Sequence, residues 1–224
     1  MFAIPEGRLI ELYSHIAGYV LKYEQSPPYI PLFRQKDNLL HSFPKEDVVL
    51  LMCLMAIMLT PSQELERYDS KKNFPREFNF SWIFSFDSEK LQPILNYLEK
   101  MLKGPKENIE KSRLEIIRAN SQALPIEAIL ESAAPLMPVR VFSDKTSIES
   151  FPESVKVDFA NKFIGGGSLD HGNVQEEIMF LCHPEMFVSM ILCERMLDNE
   201  VIAFRGFQKY YLMRGFGDQL AYEA

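Results

Sequence analysis

The chain has 224 residues, 47% hydrophobic and 25% charged, with a formal net charge of −7. That length suits one large domain or two small ones around a packed core, and the composition is ordinary for a soluble protein. The acidic balance argues against a surface that tracks a nucleic-acid backbone, which is usually basic. Cys53, Cys182 and Cys193 are odd in number and lack Cys-x-x-Cys spacing. They read as three small buried hydrophobes in a reducing, intracellular setting rather than a disulfide framework.

No secretory signal is read at the N-terminus, because Glu6, Arg8 and Glu11 interrupt its apolar residues. Leu9, Leu12, Tyr13, Ile16, Tyr19 and Val20 recur at three- and four-residue spacings, so an amphipathic helix is predicted, stopping before Pro27-Pro28. The Ile-Pro-Leu-Phe-Arg-Gln run from Ile30 to Gln35 lies in an irregular or short helical segment ending near Leu40. Ser42 and Pro44 then start an apolar helix that Thr60-Pro61 ends. Its longest apolar run, Val48 to Leu59, would cover roughly 18 Å against a hydrocarbon core of roughly 30 Å, so it reads as a buried helix and not a membrane span.

A polar connection follows from Gln63 to Ser81, then Trp82, Ile83, Phe84 and Phe86 as core packing. Leu91, Leu95 and Leu98 mark a helix from Ser88 to Leu102, closed by Lys103-Gly104-Pro105. Glu107 to Arg118 reads as a charged helical or mixed segment. From Leu136 to Phe142 the rhythm changes: Met137, Val139 and Val141 alternate with Pro138 and Arg140, a strand pattern that Val155, Val157 and Phe159 repeat. A boundary near Ala134 is therefore expected, with a helical region at 1–134 and an α/β layer region at 135–224. Beyond the glycines come a helix from about Val174, a break at His183-Pro184, a second helix through Leu197 and a strand from Glu200 to Phe204.

The stretch Val157 to Glu177 concentrates the chemistry. It delivers Asp158 and Asn161, then Gly165, Gly166 and Gly167, and after a spacer Gln175, Glu176 and Glu177 at a predicted helix start. Glycines allow positive φ and close backbone approach, and their N–H groups are expected to be free for phosphate oxygens. A Gly-x-Gly-x-x-Gly fingerprint from Gly165 fails because Asp170 occupies the third glycine position, and no P-loop sequence is present. Successive helical residues project about 100° apart, so Glu176 and Glu177 should do different work. A helix N-terminus lowers a carboxyl pKa, whereas a general acid must hold its proton near neutral pH, so burial or a neighbouring acid has to outweigh the dipole. His171 reads as a solvent-facing loop residue, and the spacings of His171, Cys182, His183 and Cys193 form no usual zinc pattern.

This stretch resembles the signature of the poly(ADP-ribose) glycohydrolases: a Gly-Gly-Gly loop followed, after a spacer that here is Ser168 to Val174, by Gln-Glu-Glu on a macrodomain fold. The runs at Ile30 to Gln35, after Pro44, from Asn79 and from Leu124 resemble the helical accessory region that precedes that macrodomain, so the likeness covers essentially the whole chain. It implies an α/β fold class: an all-α accessory region, then a macrodomain-like α/β/α layer. Family macrodomains continue beyond the strand near Val201, so an incomplete, truncated layer is expected.

The implied activity is hydrolysis of ribose–ribose O-glycosidic bonds in poly(ADP-ribose), releasing ADP-ribose. Glu177 would be general acid and then base, Glu176 would orient the ribose hydroxyls, and Asp158 would support them. Asn161, Gln175 and the Gly165, Gly166 and Gly167 backbone would meet the ligand, the glycines near its diphosphate. Ile148 and Glu149 would meet the adenine, and Phe216 takes the place of a family tyrosine that clasps the ligand. No cofactor and no metal are implied. The implied partners are poly(ADP-ribose) and ADP-ribosylated proteins, without direct nucleic-acid or membrane binding, in nucleus or cytoplasm. Two other readings stand beside this one: a non-catalytic ADP-ribose reader, for which the glycine loop and Asp158 would suffice, and a structural remnant whose helical half mediates protein contacts.

Overall fold

The computed structural model describes residues 5–24, 28–57, 88–105, 109, 112–121, 125–135, 137–143, 151 and 154–223. The Gln63–Ser81 connection and the Trp82–Phe86 patch lie outside the described residues.

Helix α1 (Glu6–Leu21) follows Pro5, places Glu6 at its positive end and buries Leu12 and Ile16 on the stripe that periodicity marks. Helix α2 (Lys45–Ala56) begins directly after Pro44, with Glu46 and Asp47 in its first turn. Val48 through Cys53, together with Met55, are all buried, so this helix is surrounded rather than amphipathic. Helix α3 (Ser88–Lys103) carries Lys100 and Lys103 in its last turn, where cations complement the dipole. Its Leu91, Ile94, Leu95, Leu98 and Met101 join one core with α1 and α2.

Two strands of the main sheet lie where none is expected. Strand β1 (Leu39–Pro44) pairs antiparallel with β2 (Arg113–Asn120), which pairs antiparallel with β3 (Glu200–Arg205), giving the order β1-β2-β3. The expectation of a charged helical or mixed segment at 107–118 is thus corrected over 113–118, where the strand begins. Leu114, Ile116 and Arg118 face inward at a period of two, and the inward arginine disguises that period. Arg118 is fully buried, 2.5 Å from Glu200, and donates to the carbonyls of Phe33, Glu194 and Arg195 at 2.7–3.0 Å. The sheet joins β1 and β2, which precede Ala134, to β3, which follows it.

A second buried pair fastens the start of α2. Lys45 lies 3.1 Å from Glu185, and both side chains are shut away from solvent. The Tyr210 hydroxyl donates to Glu185 at 2.6 Å. The short helix α4 (Ile126–Leu130) buries none of its residues. The two strands expected at 136–142 and 155–159 do not form among the described residues. Met137, Val139 and Val141 stand 86%, 87% and 91% exposed. Alternation prepares a strand, but a strand exists only where a neighbour takes its N–H and C=O groups.

Helix α5 (Gln175–Cys182) and the break at His183-Pro184 occur as expected. The following helix is shorter than expected: a 3₁₀ turn (Pro184–Val188) leads into α6 (Ser189–Leu192), and the chain is extended at Cys193. It is diverted there because Phe33 donates to Leu192 O at 2.8 Å and accepts from Glu194 N at 3.0 Å, a parallel bridge that a continued helix could not make. A hairpin of β4 (Leu212–Arg214) and β5 (Ala221–Glu223) ends the described chain. Cys53, Cys182 and Cys193 are buried, and burial pushes the Cys53 and Cys193 thiols up to about 12. No described helix is long and apolar enough to cross a membrane.

Candidate functional site

Three consecutive side chains at the start of α5 organise the loop from Val157 to Gly172. Gln175 accepts from Phe159 N at 2.9 Å and donates to Val157 O at 3.1 Å. Glu176 accepts from Asn161 N at 2.8 Å through one oxygen and from Gly165 N at 2.6 Å through the other. Glu177 accepts from Gly167 N at 2.8 Å and from Val174 N, at its own helix start, at 3.0 Å. The sequence builds this arrangement because the last of the three can satisfy an orphan N–H of its own helix while still meeting the loop.

The glycines are needed for close approach. Gly166 has φ +48°, and a methyl group there would overlap Glu177 Oε1 and come within 2.5 Å of Glu176 Oε2. Gly172 closes from the other end of the loop, where a methyl would lie 2.6 Å from the Glu177 carboxyl carbon. Only bare backbone can lie this near the two carboxylates.

The same contacts correct one expectation. The N–H groups of Gly165 and Gly167 donate to Glu176 and Glu177, and that of Gly166 donates to Phe163 O at 3.1 Å. They serve the loop and the acids rather than standing free for a phosphate. Ser168, fully buried, donates its hydroxyl to Gly165 O and adds to the internal bonding.

Glu176 and Glu177 are 4% and 5% exposed. Burial pushes the Glu176 carboxyl up to about 7, against the pull of the Asn161 N–H, and the charges of Asp158 and Glu177 add to the rise. The dipole does not win at this position. Asp158, half-buried, is pushed up to about 6 by burial and then by Glu177. Both its carboxylate oxygens are shielded from solvent with no hydrogen-bond partner among the described residues.

The remaining sequence-derived residues fall as follows. Asn161 is exposed, its side chain accepting from Phe163 N at 3.1 Å. Phe216 is 68% exposed, and its neighbour Gly217 is tied to Asn173 by two hydrogen bonds of 2.9 and 3.1 Å. An aromatic face therefore stands beside the residues that lead into Gln175. Ile148 and Glu149 lie outside the described residues. His171 is exposed, 3.5 Å from Asp170. Among the described residues no group of three or more His, Cys, Asp or Glu is arranged to hold a metal ion.

Two residues escaped the sequence reading. Asn173 holds the Phe216 loop through Gly217, its side-chain oxygen is buried with no hydrogen-bond partner among the described residues, and nothing in its context marks it. Lys90 reaches from α3 to the loop carbonyls of Gly167, Asp170 and Gly172. It does carry a signal: with Ile94, Leu98 and Met101 it occupies an apolar stripe, where a lysine is out of place.

Residues 126–224 match the family model described as poly(ADP-ribose) glycohydrolase (PARG), macro domain fold. The chain is 36% identical over 147 residues to poly(ADP-ribose) glycohydrolase 1 of Caenorhabditis elegans, covering 64% of this chain and 18% of that protein. It is 42% identical over 76 residues to poly(ADP-ribose) glycohydrolase 1 of Arabidopsis thaliana, covering 34% and 14%. Poly(ADP-ribose) glycohydrolase 2 of Caenorhabditis elegans is 37% identical over 133 residues, covering 59% and 27%. The chain thus spans less than a third of the length of each of these relatives. The glycine loop and its Gln-Glu-Glu partner lie inside the matched residues, so this part of the chain is similar to the macrodomain of the poly(ADP-ribose) glycohydrolases.

Proposed function

We propose that this chain carries the acid machinery for hydrolysing the ribose–ribose O-glycosidic bonds of poly(ADP-ribose), with release of ADP-ribose. The observation that carries the reading is the gathering of Asp158, Glu176 and Glu177 at one glycine loop, where burial raises the Asp158 and Glu176 carboxyls and the Asp158 oxygens have no hydrogen-bond partner among the described residues. Glycoside cleavage needs a proton for the leaving oxygen, a negative field for the oxocarbenium-like centre, and a base for the incoming water. Glu177 gives the proton to the departing ribose oxygen and takes one back from water. Glu176 orients the ribose hydroxyls, Asp158 accepts from a ligand hydroxyl, and Phe216 offers a stacking face. Poly(ADP-ribose) and proteins that bear it are the corresponding partners, met in nucleus or cytoplasm.

The test is release of free ADP-ribose from poly(ADP-ribose), comparing the chain with Glu177→Gln. Turnover in the parent that falls at least about 1,000-fold in the variant, with ADP-ribose binding kept, is the expected result. Retained turnover in the variant overturns the assignment of Glu177.

One observation favours a second arrangement: Glu176 is the carboxyl that burial lifts to about 7, where a general acid is useful. If Glu176→Gln, rather than Glu177→Gln, abolishes release, the two roles are exchanged. If ADP-ribose binds but no variant or parent turns over, the site is a reader of ADP-ribose and not a hydrolase.

A further inference from the structure

We infer that Lys90 of α3 is a positioning residue for the acid pair, gathering three carbonyls of the glycine loop so that the loop holds Glu177 in place. The inference rests on the hydrolytic reading of the site.

Lys90 is 1% exposed. Its ammonium donates to Gly172 O at 2.6 Å, to Gly167 O at 3.2 Å and to Asp170 O. An ammonium has three donors and no acceptor, which suits these three carbonyls. Burying a cation on an apolar stripe is costly unless it is paired, and the loop carbonyls contribute to the compensation.

One residue separates the cation from the acid. Gly167 gives its carbonyl to Lys90 and its N–H to Glu177. Gly172 gives its carbonyl to Lys90 and its N–H to Gly167 O at 3.1 Å, while its backbone packs on the Glu177 carboxyl carbon. Without the ammonium, three carbonyls that now point to a single atom would turn away from one another. The N–H groups on the same residues would turn with them. Arginine cannot replace lysine here, because a planar fork does not match three acceptors around one point. Helix α3 lies against α5, so the cation and the acids are set by two packed helices.

The experiment uses the full chain with Lys90→Met, which keeps length and apolar bulk and removes the donors, and Lys90→Gln, which keeps a shorter amide donor. Two quantities are read: amide hydrogen exchange at Gly167, Ser168, Asp170 and Gly172, and kcat with KM for ADP-ribose release. In Lys90→Met those four amides should exchange at least roughly tenfold faster while the α3 and α5 amides stay protected. Its kcat should fall about 100-fold, since small misplacements of a reacting group are costly, with KM changed by less than about threefold. Lys90→Gln should lie between Met and the parent, and Lys90→Arg should not restore kcat.

A kcat within about threefold of the parent in folded Lys90→Met, or in Lys90→Gln should the Met variant fail to fold, overturns the inference; so does unchanged loop exchange. If the parent itself releases no ADP-ribose, the hydrolytic reading fails, and loop exchange alone still decides whether Lys90 positions the loop.

Discussion

Two pairs of buried glutamates show how one side chain can be put to opposite uses. Glu185 and Glu200 each face a buried cation, Lys45 at 3.1 Å and Arg118 at 2.5 Å. For Glu200 burial works against ionisation, but Arg118 and the Leu197 and Lys36 N–H groups overcome it and hold its carboxyl below the ordinary range. Glu176 and Glu177 are buried as deeply, yet among the described residues they meet backbone N–H groups and each other's charge, with no ion pair to lysine or arginine. The first pair is neutralised and joins segments distant in sequence. In the second pair no cation offsets burial, and the Glu176 carboxyl is pushed up to about 7.

The contrast can be broken most severely on the scaffold side. Arg118→Met leaves Glu200 buried without its cation and should cost about 3–5 kcal/mol, read as a lowered midpoint in urea unfolding. Next is Gly166→Ala, which sets a side chain at positive φ against both site acids. A cost of about 1–3 kcal/mol is expected with loss of ADP-ribose release, whereas Gly7→Ala, on α1 with open space around it, should leave release unchanged and raise stability by about 0.5–1 kcal/mol.

The mildest effect has the opposite sign. Folding raises the Asp158 carboxyl to about 6 and the Glu176 carboxyl to about 7, so folding favours their protonated forms. Their contribution to stability is therefore whole below the ordinary carboxyl range and is lost as pH rises through about 6 for Asp158 and about 7 for Glu176. Asp158→Asn removes part of that loss, so its Tm should exceed the parent's at pH 8 by roughly 2 °C and match it near pH 4. A variant less stable than the parent at pH 8 would mean that Asp158 is satisfied as a carboxylate in the free protein.

The helices were legible because periodicity is a local property. The stripes of α1 and α3, the all-round apolar run of α2 and the Gln-Glu-Glu start of α5 are each written in a dozen residues or fewer. Strands were not, because they depend on partners far away. Arg118 broke the apolar pattern of β2 while its explanation, Glu200, lies 82 residues on. Met137, Val139 and Val141 showed the right alternation with no neighbour to complete it among the described residues. At the site, the nearness of acids and glycines was readable from spacing. The direction of the glycine N–H groups, toward the glutamates, was not, since it follows from how α5 faces the loop.

Gln175, Glu176 and Glu177 hold the loop at successive points along the chain, from Val157 to Gly167, as a zip closes. Register therefore matters as much as identity. One residue inserted into the spacer Ser168–Val174 is slack that a loop can absorb, but one inserted between Gln175 and Glu177 turns every later side chain by about 100°. Such a helix would keep its full set of functional groups and aim them at the wrong teeth.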